Sequence, residues 1–424
     1  MKTAILSVGT EILFGQIVNT NTVYLSQQLN LLGFDVMYHY TVGDNTSRLK
    51  EMIEYIFHDC DLILTTGGLG PTQDDLTKET ICEAMGDVLV ENAEELAYLK
   101  SQWKGDREMP SNNIKQAWFP SRATILKNPI GTAPGFALEN NGKMVISMPG
   151  PPREMTRMFE NEVKPLLEKM QDSVIHYRTI RTSGIGESDI EMMVLDLIEQ
   201  QTDPTIAPYA KDTGTQIRVA SKRKTLEEAK AAVDEMVDVL AERMKEYVYS
   251  TDDEELVDVV AKKLIDRNLT IASAESCTAG LFASTLAEVP GISQALQRAF
   301  VTYSNESKVQ ELGVKPETLE KYGAVSVQTA EEMATGLYNK SGADICVSVT
   351  GIAGPDGGSD EKPVGMVCFG FNYNSAISGG DGSRVVKTIE MRRKDYGRNY
   401  NRKFASHRML LNVNRILDDK ELIK

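Results

Sequence analysis

The sequence predicts an α/β protein in which two doubly wound α/β domains are joined by a small ferredoxin-like α+β domain. Three observations predict it. The N-terminal segment alternates apolar strands with amphipathic helices, and its third strand ends in a glycine-rich loop. Residues 172–250 read β-α-β-β-α-β, the split βαβ pattern. From Leu256 the α/β alternation resumes, again with loops at strand ends. A length of 424 residues accommodates about three domains, placed at 1–171, 172–250 and 251–424.

In the first domain, Thr3–Val8 is an apolar strand. Asn19, Thr20 and Asn21 offer caps for a helix through Leu32, and Gly33 stops it. Asp35–Val42 is a second strand, and Asn45 caps a helix through Phe57. Asp61–Thr66 is the third strand and runs into Gly67-Gly68-Leu69-Gly70-Pro71-Thr72-Gln73-Asp74-Asp75. Parallel doubly wound sheets bind ligands beyond the carboxyl ends of their strands. Gly67, Gly68 and Gly70 expose backbone donors that suit a phosphate or pyrophosphate. Asp74 and Asp75 repel such a ligand unless a divalent cation sits between them. Gly131–Phe136, with Thr132, and Met148–Pro152, with Gly150, read as two more loops closing the same crevice. One such loop alone reads as ordinary turn glycines with an aspartate cap; three in one unit favour a site.

In the middle segment, Val174–Thr182 is a strand, Glu187–Gln200 a helix, and Thr205–Pro208 and Gln216–Ser221 strands about a turn at Gly214. Thr225–Met244 is a long amphipathic helix and Tyr247–Tyr249 the closing strand. Glu187 and Asp189 read as favourable charge at a helix N-terminus. The segment reads as a spacer or dimerisation module, with a homodimer as the expected assembly. The acidic run Thr251–Glu255 marks the next boundary.

Composition, 41% hydrophobic and 25% charged, is that of a soluble globular protein. No apolar run approaches the roughly 20 residues of a membrane span. The opening Met1–Val8 is too short and too soon broken for a secretory signal. Five cysteines without a CxxC pair argue against disulfides or structural zinc and for a reducing cytoplasm, the expected location. Dispersed His39, His58, His176 and His407 argue against a histidine metal centre or triad. A net charge of −15 disfavours non-specific nucleic-acid binding.

In the third domain, Ala274-Glu275-Ser276-Cys277-Thr278-Ala279-Gly280 sits between an apolar strand and the helical Leu281–Ala287. Ser276 is therefore where free backbone N–H groups and a helix dipole can hold negative charge. Two readings stay open: a Ser/Thr helix cap with a buried cysteine, or a nucleophile. A serine needs a base, and no histidine lies in this domain before His407. Lys308, trailing a strand end at Ala299–Thr302, is the candidate base, with Tyr303 to relay or orient. Their plain alternatives are a solvated lysine and a packing tyrosine. Asp344–Val349 runs into the glycine-rich loop Thr350–Gly358, and Val364–Asn372 follows as a strand.

Taken together, Ser7–Glu11, Gly15–Asn21, Thr65–Asp75, Gly131–Phe136, Met148–Pro152, Ala274–Thr278, Tyr303–Lys308 and Thr350–Gly365 resemble the CinA family along essentially the whole chain. The N-terminal half is similar to molybdopterin-binding domains, and the resemblance implies a metal-dependent pyrophosphatase acting on ADP-ribose-like substrates. Asp74 and Asp75 would hold the divalent cation, with Asp75 catalytic. Leu69 and Asp74 stand where molybdopterin relatives carry Thr and Arg, which argues against cofactor insertion. The family's middle domain is KH-like, but this segment has no basic GxxG loop, so nucleic acid is not expected. The C-terminal half implies a nicotinamide-nucleotide amidase, converting nicotinamide mononucleotide to nicotinic acid mononucleotide and ammonia without a cofactor. By motif, Ser276 is the nucleophile, Lys308 and Tyr303 activate it, and Thr278 with the loop residues Thr350, Gly351 and Gly354 holds the nucleotide. Cys277 is the rival nucleophile.

Two departures stand out: Ala279 replaces a glycine, and the basic stretch Met391–Lys403 differs from the family's Gly-Asp-Arg segment, reading as a solvated basic tail by default, with a substrate phosphate or a partner's acidic surface as the alternatives. A non-catalytic competence or DNA-repair adaptor, binding a recombination protein, is the alternative.

Overall fold

The computed structural model describes residues 1–103, 108–170, 173–211 and 214–423. The first sheet has six strands in the order Asp35–Val42, Lys2–Val8, Leu62–Thr66, Lys143–Met148, Gly135–Asn140, Thr124–Leu126. Its first four strands run parallel, as the βαβαβ alternation predicts, and Gly135–Asn140 runs antiparallel between its neighbours. Alternate residues enter opposite cores. Ala4, Leu6, Val8 and Ile63 pack on one face; Ile5, Leu62 and Leu64 pack on the other. This is why these strands read as continuous apolar runs. Asn19 and Asn45 cap their helices by accepting from Thr22 N and Arg48 N. The expected crevice loop Gly131–Phe136 is shorter, because Gly135 and Phe136 already belong to the antiparallel strand.

The middle sheet has the order Thr205–Lys211, Gly214–Arg223, Val174–Thr182, Val248–Ser250. Gly214–Arg223 alternates buried and half-buried residues, the mark of a sheet covered on one face. Ile180, Ile217 and Val219 meet Ile190, Val194, Val233 and Val237 of the helices Glu187–Gln200 and Leu226–Arg243. The expected boundary at 171/172 lies outside the described residues.

The third sheet runs Leu296–Val301, Ile271–Glu275, Ile345–Gly351, Val367–Asn374, Arg384–Met391. Only Val367–Asn374 is antiparallel to the rest. Neither Arg384–Met391 nor the helix Arg398–Leu417 was predicted; the stretch read as a basic tail is a strand end and the start of a helix. The helix Asn305–Leu312 docks on Val327–Ser341 through Gly336, where a Cβ would overlap the Leu312 carbonyl oxygen.

By packing, the chain divides into two units, Met1–Tyr177 with Ser221–Ala231, and Arg178–Ala220 with Ala232–Lys424. Within the second, two arginines of one strand pair with three of the four carboxylates of the acidic boundary run. Arg178 pairs with Asp234 and Asp252 at 2.9 Å each, and Arg181 with Asp253 at 2.7 Å and Glu255 at 2.6 Å. Among the described residues, no helix is long and apolar enough to cross a membrane.

Candidate functional site

In the third domain the strand Ile271–Glu275 ends at Ser276, whose N–H still donates to Val349 O at 3.0 Å. The chain then turns sharply: Ala279 and Gly280 both take left-handed φ, +53° and +87°. Ala279 is thus a residue with a Cβ where glycine is the easier choice. Glu275 fastens the turn from beneath. Its fully buried carboxylate accepts from Phe282 N at 3.1 Å, Ala283 N at 3.0 Å and Ser273 Oγ at 3.3 Å. It thereby satisfies helix-start donors that have no partner within the helix.

Lys308, on the helix Asn305–Leu312, reaches Ser276 with Nζ 3.1 Å from Oγ. The amine also donates to the carbonyls of Thr302, Tyr303 and Ser304, at 2.9, 3.2 and 3.4 Å. Ser276 is 8% exposed and Lys308 1%. Desolvation lowers the Lys308 pKa below its ordinary value, which favours the neutral amine a general base needs. Cys277 is buried and its thiol is pushed up to about 12, which removes the thiolate that a cysteine nucleophile requires. The backbone N–H groups of Cys277 and Thr278, which follow Ser276 in the chain, donate to no oxygen among the described residues.

Tyr303 is placed differently from the expectation. Its hydroxyl accepts from Arg398 Nη2 at 2.8 Å, and only its carbonyl touches Lys308. Thr350 is also turned away, its buried hydroxyl donating to Ala324 O at 2.8 Å. Gly351 is a close-packing position, since a Cβ there would lie 3.1 Å from Cys277 Sγ. Gly354 presents its carbonyl to Arg398 Nη1 at 2.8 Å. The Thr278 hydroxyl is buried without a partner among the described residues, and its carbonyl accepts from Arg402 Nη2 at 2.9 Å. Arg398 and Arg402 lie in the basic stretch whose default reading is a solvated tail and for which a substrate phosphate is one alternative; neither is singled out by the sequence. Their signal was the four-residue spacing at the start of a helix, which puts two guanidinium groups on one face.

The first domain holds a cleft of about 540 Å³ at the carboxyl ends of its parallel strands, lined by Gly67, Gly68, Gly70, Thr132 and Gly150 among others. Gly67 and Gly68 have left-handed φ, and a Cβ on either would overlap Val8 O or the Thr77 hydroxyl. Gly150 lends its carbonyl to Asn21 Nδ2 at 2.7 Å, and Thr132 Oγ1 accepts from Gln116 at 3.4 Å. Glu11, Asp44 and Glu154 line the cleft beside Asp74 and Asp75, and no lysine or arginine does so among the described residues. Asp74 and Asp75 both accept from the Thr72 hydroxyl, and Lys115 Nζ pins their loop through the carbonyls of Thr72 at 2.6 Å and Asp75 at 2.7 Å. A hydroxyl has one proton for two carboxylates. Such a donor set fits a hydrated divalent cation that takes its remaining oxygens from water and ligand phosphates. No closed cage exists: no group of three His, Cys, Asp or Glu is close enough among the described residues.

Three family models match the chain: "Probable molybdopterin binding domain" over residues 4–169, "Damage-inducible protein CinA KH domain" over 177–250, and "CinA C-terminal domain" over 253–411. A competence-damage inducible protein of Acetivibrio thermocellus is 51% identical over 368 residues, 87% of this chain and 89% of that protein. One from Clostridium novyi is 48% identical over 372 residues, covering 88% and 90%. The crystal structure of the competence/damage inducible protein CihA from Agrobacterium tumefaciens is 40% identical over 38% of this chain and 96% of its own, with a TM-score of 0.35.

Proposed function

The chain belongs to the CinA family of competence/damage-inducible proteins, and from that premise we propose that it is a two-activity hydrolase of pyridine nucleotides. The third domain deamidates nicotinamide mononucleotide to nicotinic acid mononucleotide and ammonia. The observation that carries this reading is the buried contact of Lys308 Nζ with Ser276 Oγ. Ser276 Oγ attacks the carboxamide carbon while Lys308 takes its proton. The oxyanion of the tetrahedral intermediate is met by the N–H groups of Cys277 and Thr278. Lys308 returns the proton to the leaving nitrogen, ammonia departs, and water then cleaves the acyl-serine ester. Arg398 and Arg402 supply positive charge for the substrate phosphate. None of these steps asks for a metal.

The first domain is read as an ADP-ribose-type pyrophosphatase. Its acidic cleft repels a diphosphate, which supports a divalent cation held by Asp74 and Asp75. Bound there, the cation would neutralise phosphate charge and act as a Lewis acid.

Ammonia release with nicotinamide mononucleotide tests the first reading. Turnover by the wild type that Ser276→Ala leaves intact refutes the serine assignment. ADP-ribose hydrolysis that persists in chelator refutes the metal role. Absence of both activities, with a recombination protein co-purifying, would favour a non-catalytic adaptor.

A further inference from the structure

The strip after the last strand and the terminal helix carry two cations that neither candidate site uses. Tyr396, Tyr400 and Phe404 recur at every fourth residue and form a ladder. The tyrosine centroids are 5.3 Å apart, and Tyr400 stacks on Phe404 at 6.4 Å with 18° between the rings. The Arg393 guanidinium lies over this ladder, 3.5 Å from the Phe404 centroid and 5.5 and 5.7 Å from those of Tyr396 and Tyr400. Arg408 approaches the same Phe404 ring at 5.2 Å.

Two like charges therefore share one ring, and among the described residues neither is bonded to a carboxylate, in a chain with 61 aspartates and glutamates. The Nε and Nη1 of Arg408 are buried and have no acceptor among the described residues. Burial and the neighbouring Arg393 charge push the Arg408 pKa down to about 10. Two like charges held together without a counter-ion are costly, and a bound anion relieves their mutual repulsion.

At about 100° per residue, Phe404 and Arg408 lie roughly 120–160° around the helix from Arg402; Arg408 lies about 80° around it from Arg398 but ten residues, about 15 Å, further along. The planar forks of two arginines match a phosphate in geometry, and their summed charge favours a dianion over a single carboxylate. The exposed Tyr396 ring leaves the ladder open at one end, where a base could stack.

We propose that Arg393, Arg408 and the Tyr396–Tyr400–Phe404 ladder form a second anion site that binds a phosphate monoester or free phosphate. The site stands on its own observations and does not depend on the amidase reading.

The test is calorimetric titration of the full chain with inorganic phosphate and, separately, with AMP. A binding event weakened at least tenfold by Arg408→Leu and retained by Arg398→Ala is expected. Arg393→Gln, on the surface strip, should weaken it as well and serves if Arg408→Leu does not fold by circular dichroism. AMP binding several-fold tighter than phosphate assigns the ladder to a base; equal affinity assigns the site to free phosphate. No binding, or binding that both Arg408→Leu and Arg393→Gln leave unchanged, overturns the proposal. Loss of ammonia release in Arg398→Ala would bear on the amidase reading alone.

Discussion

Lys308 Nζ lies 3.1 Å from Ser276 Oγ and is otherwise surrounded by three backbone carbonyls. No carboxylate is bonded to it among the described residues; the Glu306 charge acts on it without a hydrogen bond, and burial outweighs that attraction.

Replacing Lys308 by Met keeps the length and apolar stem but removes the base. Ammonia release should fall by about 10²–10⁴, the usual contribution of a positioned general base. Ground-state affinity for nicotinamide mononucleotide, measured by calorimetry, should stay within a few-fold. A rate within tenfold of wild type would mean that Lys308 is not the base.

The lowered Lys308 pKa sets the sign of the pH dependence. The neutral amine is the active form, so log kcat/KM should rise with pH and level off below 10.5, the ordinary lysine value. Stability moves the same way. The unfolded chain binds the extra proton in the window below 10.5, so unfolding becomes harder as pH rises through it. A flat or falling rate profile would contradict the assignment.

Arg398 and Arg402 are expected to recognise phosphate. Arg402→Ala should raise KM for nicotinamide mononucleotide by about tenfold or more, one charged hydrogen bond's worth. Its effect on nicotinamide riboside, which lacks the phosphate, should be small. An equal loss on both substrates would instead indicate damage to the turn through Thr278 O.

Lys115 holds the Asp74–Asp75 loop without facing the ligand itself. Lys115→Met should raise the half-saturating divalent metal concentration for ADP-ribose hydrolysis by about 10–100-fold, as loss of an outer support usually does. An unchanged metal titration would show that the loop holds its shape unaided.

Lys78 offers a check on stability alone. It is buried, donates to the carbonyls of Lys115 and Gln116 at 3.1 Å, and burial lowers its pKa to about 8. The folded chain releases that proton first, so this group makes stability rise between about pH 8 and 10.5. Wild type should gain on the order of 2–3 kcal/mol relative to Lys78→Met across that window in denaturant melts. Parallel stability curves for the two proteins would refute it.

The strands and capped helices of the first domain were legible because apolar runs and Asn caps are local signals. Ser276 and Lys308 were legible because strand ends gather side chains in such folds. Other features depended on distant contacts. Arg398 meets Tyr303 across 95 positions and Arg402 meets Thr278 across 124, and no local pattern carries such pairings. The direction of a side chain was equally hidden: Tyr303 and Thr350 sit at the predicted places but turn their hydroxyls to Arg398 and Ala324. The acidity of the N-terminal cleft was only half visible. Asp74 and Asp75 stood out beside the glycines, whereas Glu11, Asp44 and Glu154 join them only once the sheet is formed.

Gly336 lets the helix that bears Lys308 sit against its neighbour with no side chain between them. The seat of the helix that carries Lys308 therefore depends on an absent methyl on another helix. A lineage that drifted to alanine there would keep every chemical group of the pair while shifting the helix that carries one of them, so intact motifs alone would not register the change.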